Sequence, residues 1–151
     1  METPLSLLDQ TIVKVENILE KRYPEFISFG QGSYTISRGS SQVMLIVRPF
    51  SNNETCVQCI SHVVMGATIS PELMMFLLRK NSEINWGAFG LLFDNTIVFS
   101  HSIAGANIDE NELGNTVDSV AIIADHYDDE IVSLAGGKRA KDVQDLEEQD
   151  I

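Results

Sequence analysis

The stretch "SPELMMFLLRKN", residues 70–81, decides how the chain is read. Ser70 is a good N-cap, Pro71 suits the first helical position, and Glu72 complements the positive helix end. Asn81 tolerates the left-handed conformation that stops a helix. Between these signals lie six apolar residues in a row, 73–78. At about 100° per residue, Leu73, Phe76, Leu77 and Ile84 gather on one side, and Met74, Met75 and Leu78 on the other. A helix apolar on both sides needs two covers. A sheet of the same chain can supply one. A second copy of the chain, related by a two-fold axis, is the expected source of the other. The expected dimer contact is Met74, Met75 and Leu78, with Trp86 beside them.

The elements on either side place this helix in a fold. Upstream, Leu5, Leu8, Ile12, Val15 and Leu19 form one apolar stripe, predicting a helix over about residues 4–23 with Thr3 as its cap. Tyr23 and Pro24 end it. Three strands follow. "SYTISRG" alternates, and Gly39 and Ser40 turn the chain. "QVMLIVRPF" is apolar on both faces, as in a strand covered on both sides. "TCVQCISHVVMGA" is long, and its Gly66 marks a bulge or bend. "SFGQGSY", residues 28–34, reads as a turn.

Downstream, "NWGAFGLLF" and "TIVFSHSI" flank Asp94 and Asn95, read as a two-residue hairpin turn. Phe89, Leu91 and Phe93 then share a face. Leu91 falls opposite Val98 and Gly90 opposite Phe99. A third helix starts near Asp109, with Glu112 completing a capping-box pair. Its stripe is Leu113, Val117, Val120, Ala124, Tyr127, Ile131 and Leu134, and Gly136 ends it. The order α-β-β-β-α-β-β-α, an antiparallel sheet with helices packed on it, is α+β. Residues 1–136 are expected to form a single domain, and residues 137–151 a mobile charged tail.

Composition narrows the role. The net charge of −12 disfavours nucleic acid and anionic membrane surfaces, which call for clustered Lys and Arg. No apolar run approaches the roughly 18 residues of a membrane span. The N-terminal sequence lacks a secretory pattern, so a cytoplasmic location is expected. Cys56 and Cys59 are spaced C-x-x-C, but in a strand residues three apart face opposite ways, so free thiols are expected rather than a redox or metal pair. "DHYDDE" offers Asp125 with Asp129 and His126 with Glu130, two ligands each and no third, so no metal or other cofactor is expected. His62 and His101 lack a catalytic companion, and the chain reads as a non-enzyme.

Eight acidic residues between positions 109 and 130 have no Lys or Arg among them. Asp118, Asp125, Asp128 and Asp129 therefore define a candidate acidic surface for a basic partner. A solvated helix face explains the same pattern.

The segment "LMMFLLRKNSEINWGAFGLLFDNTIVFSHSI" resembles the class I type III secretion chaperones typified by CesT and SycE, and the related YbjN family. It is also similar to uncharacterised cyanobacterial and plastid members of that fold. The resemblance rests on an apolar helix ending Leu-x-x-Asn, then a small and glycine-containing strand start: Leu78, Asn81, Gly87, Ala88, Phe89 and Gly90. It implies a chaperone-like homodimer joined through the second helix and a neighbouring strand. It also implies that an unidentified protein or peptide segment binds grooves on the sheet and first helix. The first functional expectation is thus a non-enzymatic dimeric peptide- or protein-binding module. The second is an acidic regulator that meets a basic partner through its third helix.

Overall fold

The computed structural model describes residues 2–143. The elements are α1 (Leu5–Arg22), β1 (Ile27–Gly30), β2 (Ser33–Arg38), β3 (Ser41–Ser51), β4 (Glu54–Met65), α2 (Pro71–Glu83), β5 (Ala88–Leu91), β6 (Ile97–Ala104), α3 (Glu110–Ala135) and β7 (Lys138–Arg139). The sheet runs β1-β2-β3-β4-β6-β5, antiparallel throughout, and β7 pairs with β4. The α+β class and the antiparallel sheet with flanking helices are as read from the sequence.

Period-2 alternation decides where the core sits. Val43, Leu45 and Val47 are buried, and so are Val57 and Cys59 opposite them. These residues face α1 and α3, both of which pack on β3 and β4. On the other face Met44, Ile46, Gln58 and Ile60 are only half-buried. The expectation that β3 is covered on both sides is therefore corrected. The helices share one face of the sheet, and the other carries no helix among the described residues.

In α3 the expected stripe is present except at its end, where Tyr127 is half-buried and Leu134 is exposed. Leu113, Val117, Val120, Ala124 and Ile131 are buried, and Asp109 Oδ1 accepts the Glu112 N–H at 2.8 Å. In α1 the buried residues are Thr11, Val15 and Leu19, while Leu5 is exposed. Thr3 does not cap α1. Its hydroxyl donates to the Ser51 carbonyl at 2.7 Å and accepts the Phe50 N–H at 2.8 Å, pinning the N-terminus to the β3–β4 hairpin.

Further corrections concern turns. Residues 28–34 are not a simple turn: Ser28 and Gly30 pair with Tyr34 and Ser33 to make β1. The tight reversal works because Gly30, Gln31 and Gly32 all take positive φ. Gly66 (φ 74) ends β4, whereas the register break in that strand lies between His62 and Val64. The β5–β6 hairpin closes over three residues, Phe93, Asp94 and Asn95. Leu92 N–H donates to Thr96 O, Asn95 N–H donates back to Leu92 O, and Asn95 takes φ 67. That loop shifts the expected register by one. Phe89 lies opposite Phe99, Gly90 opposite Val98 and Leu91 opposite Ile97. Phe93 leaves the strand and is fully exposed. The glycine beneath the Phe99 ring is Gly87, not Gly90. It has φ 86, and a Cβ there would lie 2.5 Å from the Ser100 carbonyl oxygen.

Asn81 does not stop α2, which continues to Glu83. Its amide instead grips the edge strand: Oδ1 accepts the Phe89 N–H at 2.7 Å and Nδ2 donates to the Phe89 carbonyl at 3.2 Å. One side chain thus satisfies the two backbone groups that Phe89, paired with Phe99 on one side, turns toward the open edge of the sheet. Of the segment expected as a charged tail, Lys138 and Arg139 pair with Met65 and Val64, and Ala140 is buried. Residues 144–151 lie outside the described residues.

Asn81→Leu keeps the size of the side chain and abandons both backbone groups of Phe89. It should cost about 1–3 kcal/mol in urea unfolding. Asn81→Asp, which keeps the acceptor alone, should lose less. A cost for Asn81→Leu below about 0.5 kcal/mol, the scatter of ordinary surface changes, would refute the clamp.

Candidate functional site: the outer face of the second helix and the acidic row of the third

α2 begins as its sequence dictates, with Ser70 Oγ accepting the Leu73 N–H at 3.2 Å and Pro71 in the first turn. Its inward side is the one expected. Leu73 is fully buried, and Phe76, Leu77 and Ile84 pack against the core. The outward side is open within the single chain: Met74 is 46% exposed, Met75 49%, Leu78 69% and the nearby Trp86 53%. All four residues are thus exposed in the single chain, three of them on the outward side of α2. Trp86 is held there by edge-on contact with His101, centroids 5.8 Å apart. Met75 also borders a groove of 530 Å³ between α2 and the end of α3, with Phe76, Arg79 and Leu134 on its walls. The Lys80 ammonium lies 5.6 Å from the Phe76 ring centroid and bonds Glu83 at 3.0 Å.

The acidic row of α3 is occupied from within the chain. Asp118 meets Arg38 at 2.8 Å and Arg22 at 3.6 Å, and accepts the Tyr23 hydroxyl at 2.8 Å. Burial, reinforced by Asp118, pushes the Tyr23 hydroxyl up to about 12. Asp125 binds Lys141 at 2.7 Å and Ser40 at 2.9 Å, and these bonds hold its carboxyl below the usual carboxylate range. Asp129 pairs with Arg139 at 3.0 Å. Asp128 is the exception in burial, at 4% exposed. Desolvation raises its pKa, and the Lys141 ammonium at 3.3 Å opposes that shift. All four residues expected to form a partner surface therefore carry intramolecular ion pairs. The sequence could not show this, because Arg22, Arg38, Arg139 and Lys141 belong to other segments.

The remaining chemical candidates stay apart. His126 lies edge-on to the Tyr127 ring, while Asp125 and Asp129, the other pair of candidate ligands, are already engaged. Among the described residues no group of three His, Cys, Asp or Glu side chains could hold a metal. No helix among them is long and apolar enough to cross a membrane. Cys59 is buried opposite Leu45, and Cys56, opposite Arg48, is half-exposed on the other face.

An antiparallel sheet with helices on one side, and an open apolar helix surface beside its edge, defines a scaffold for contact with other polypeptides. The family model described as "T3SS (YopN, CesT) and YbjN peptide-binding chaperone 1" matches residues 11–143, and the chain belongs to that family. It is accordingly a non-enzymatic, chaperone- or adaptor-like protein-binding module. Comparison with curated proteins found no match.

Burial pushes the Cys59 thiol up to about 12, with Cys56 adding a smaller push. At pH 8 one thiol, Cys56, should react with a water-soluble disulfide reagent in the folded protein. The second should react only after denaturation. Two fast equivalents, or none because a disulfide has formed, would contradict the placement of the two thiols on opposite faces.

Proposed function

We propose that the protein works as a homodimer that holds a segment of a partner protein, and that two copies meet through Met74, Met75, Leu78 and Trp86. The observation that carries the reading is the outward side of α2. Three large apolar side chains stand open on a helix whose other side is already in the core. Burying such side chains contributes roughly 1.5–3 kcal/mol each. A two-fold axis applies that gain twice, because the same surface faces itself. Methionine adapts its shape to such a contact.

The partner segment is assigned to α1 and the first strands. Leu5, Val13, Ile27, Phe29 and Phe50 are exposed there, and β1 is the last strand of the sheet on that side. An extended segment would add to that edge, with apolar side chains giving selectivity. The cytoplasm is the proposed location, where unpaired thiols stay reduced. The acidic-regulator reading has less support, since the four carboxylates it relies on are paired within the chain.

Light scattering after size-exclusion chromatography tests the dimer. The wild type should elute at twice the chain mass. Met74→Glu and Leu78→Glu should each elute at the chain mass with unchanged circular dichroism. A monomeric wild type at micromolar concentration would defeat the proposal.

A further inference from the structure

Beyond α3 the chain reverses through Gly136 and Gly137, both at positive φ. Gly137 has no room for a side chain: a Cβ would lie 2.6 Å from the Met65 carbonyl oxygen. The reversal delivers β7 antiparallel to the last two residues of β4, with Arg139 opposite Val64 and Lys138 opposite Met65. Ile97 of β6 already pairs with Val64. β7 therefore lies along the opposite edge of β4, in line with β3, whose own pairing with β4 ends at Met44 and Ile60. The chain then enters a helical turn over residues 140–143.

The side chains of this segment fit a matching set. Ala140 is 3% exposed. Lys141 spans Asp125 and Asp128, and Arg139 reaches Asp129 while forking onto Asp142 at 2.8 and 2.9 Å. Asp128 Oδ1 is buried and meets no hydrogen-bond partner among the described residues. A buried carboxylate calls for a cation beside it, and Lys141 meets its other oxygen, Oδ2, at 3.3 Å. The edge of β4, the space around Ala140 and the three carboxylates thus form a slot that accepts a backbone and two cations together.

The attachment is also releasable. Its strand is two residues long and its hinge is two glycines. The Asp129 partner of Arg139 is largely exposed, so that ion pair is weak.

We infer that this slot, the Val64 and Met65 edge of β4 with Asp125, Asp128 and Asp129, is a docking site for a short basic segment of a partner protein. The pattern it accepts is basic, small, basic after a strand residue of any type, and the chain's own residues 138–141 occupy it in cis. The occupant is specified by the chemistry of the segment already seated there. A partner forms the bonds that the strap gives up, so exchange is nearly balanced in contacts. Tethering gives the strap an effective concentration on the order of millimolar, which a free segment must overcome. The inference goes beyond the dimeric reading and does not rest on it.

The test is fluorescence anisotropy with a labelled peptide of residues 138–143, "KRAKDV", against the full chain. The wild type should bind it only near millimolar concentration. The double variant Arg139→Glu with Lys141→Glu repels its own strap from the three carboxylates, and it should bind the peptide at least tenfold more tightly. A peptide with glutamine at the second and fourth positions should lose that binding, as should one of equal charge in scrambled order. Arg139→Gln with Lys141→Gln is the milder companion and should shift binding in the same direction. Folded variants that bind no better than wild type would overturn the inference. So would equal binding of the scrambled peptide, which reports charge alone. Loss of folding in both variants would also overturn it, by making the strap an obligatory structural element.

Discussion

The whole arrangement depends on one mismatch: a helix with six consecutive apolar residues lies beside a sheet that can shelter only one of its sides. Leu73, Phe76 and Leu77 take the sheltered side, and Met74, Met75 and Leu78 are left outside. Had α2 lain across the middle of the sheet between α1 and α3, neighbouring helices would have covered both sides. It lies instead against β5, the final strand, with α3 beside it. The edge position makes the apolar surface available, and Asn81 makes the edge position stable. By satisfying the N–H and carbonyl of Phe89, it replaces part of the strand that β5 lacks.

The two ends of the sheet are therefore unlike. At the β5 end the backbone is gripped by a side chain and the neighbouring surface is helical and apolar. At the β1 end the strand is short, with Ile27 and Phe29 exposed. An extended polypeptide meets unpaired backbone groups more readily at the second end than at the first. Self-association through α2 and segment capture at β1 would then use opposite margins of one sheet and would not compete. Placing all three helices on one face leaves the other with half-buried Met44, Ile46 and Ile60. Among the described residues that face carries no helix.

What the sequence disclosed follows the range of the forces involved. Caps act over three residues, so Ser70 and Asp109 were legible, and the period of α3 emerged over the seven residues of its stripe. The inner and outer sides of α2 were legible for the same reason. The hairpin register was not, because it turned on Asn95 adopting φ 67, which converts a two-residue loop into a three-residue one and moves every opposite pair by one. Asn81 and Thr3 were assigned the local bonds their types favour, as helix stop and helix cap. Tertiary partners won in both cases: Phe89 eight residues away, and the β3–β4 hairpin nearly fifty residues away. β1 escaped notice because four residues beside two glycines carry too little pattern.

The acidic row shows the same limit in its sharpest form. On the sequence alone, eight acidic residues without an intervening cation look like an open ridge. In three dimensions the cations arrive from elsewhere: Lys21 and Arg22 at the end of α1, Arg38 at the end of β2, and Arg139 and Lys141 after the glycine reversal. These five are half of the ten Lys and Arg residues in the chain. A molecule with net charge −12 thus concentrates its scarce positive charge on the helix that appeared most negative. A basic partner that sought Asp118, Asp125, Asp128 or Asp129 would have to displace a cation already there. Selectivity for such a partner would then depend on matching the displaced segment's backbone and spacing, and attraction by charge alone would not suffice.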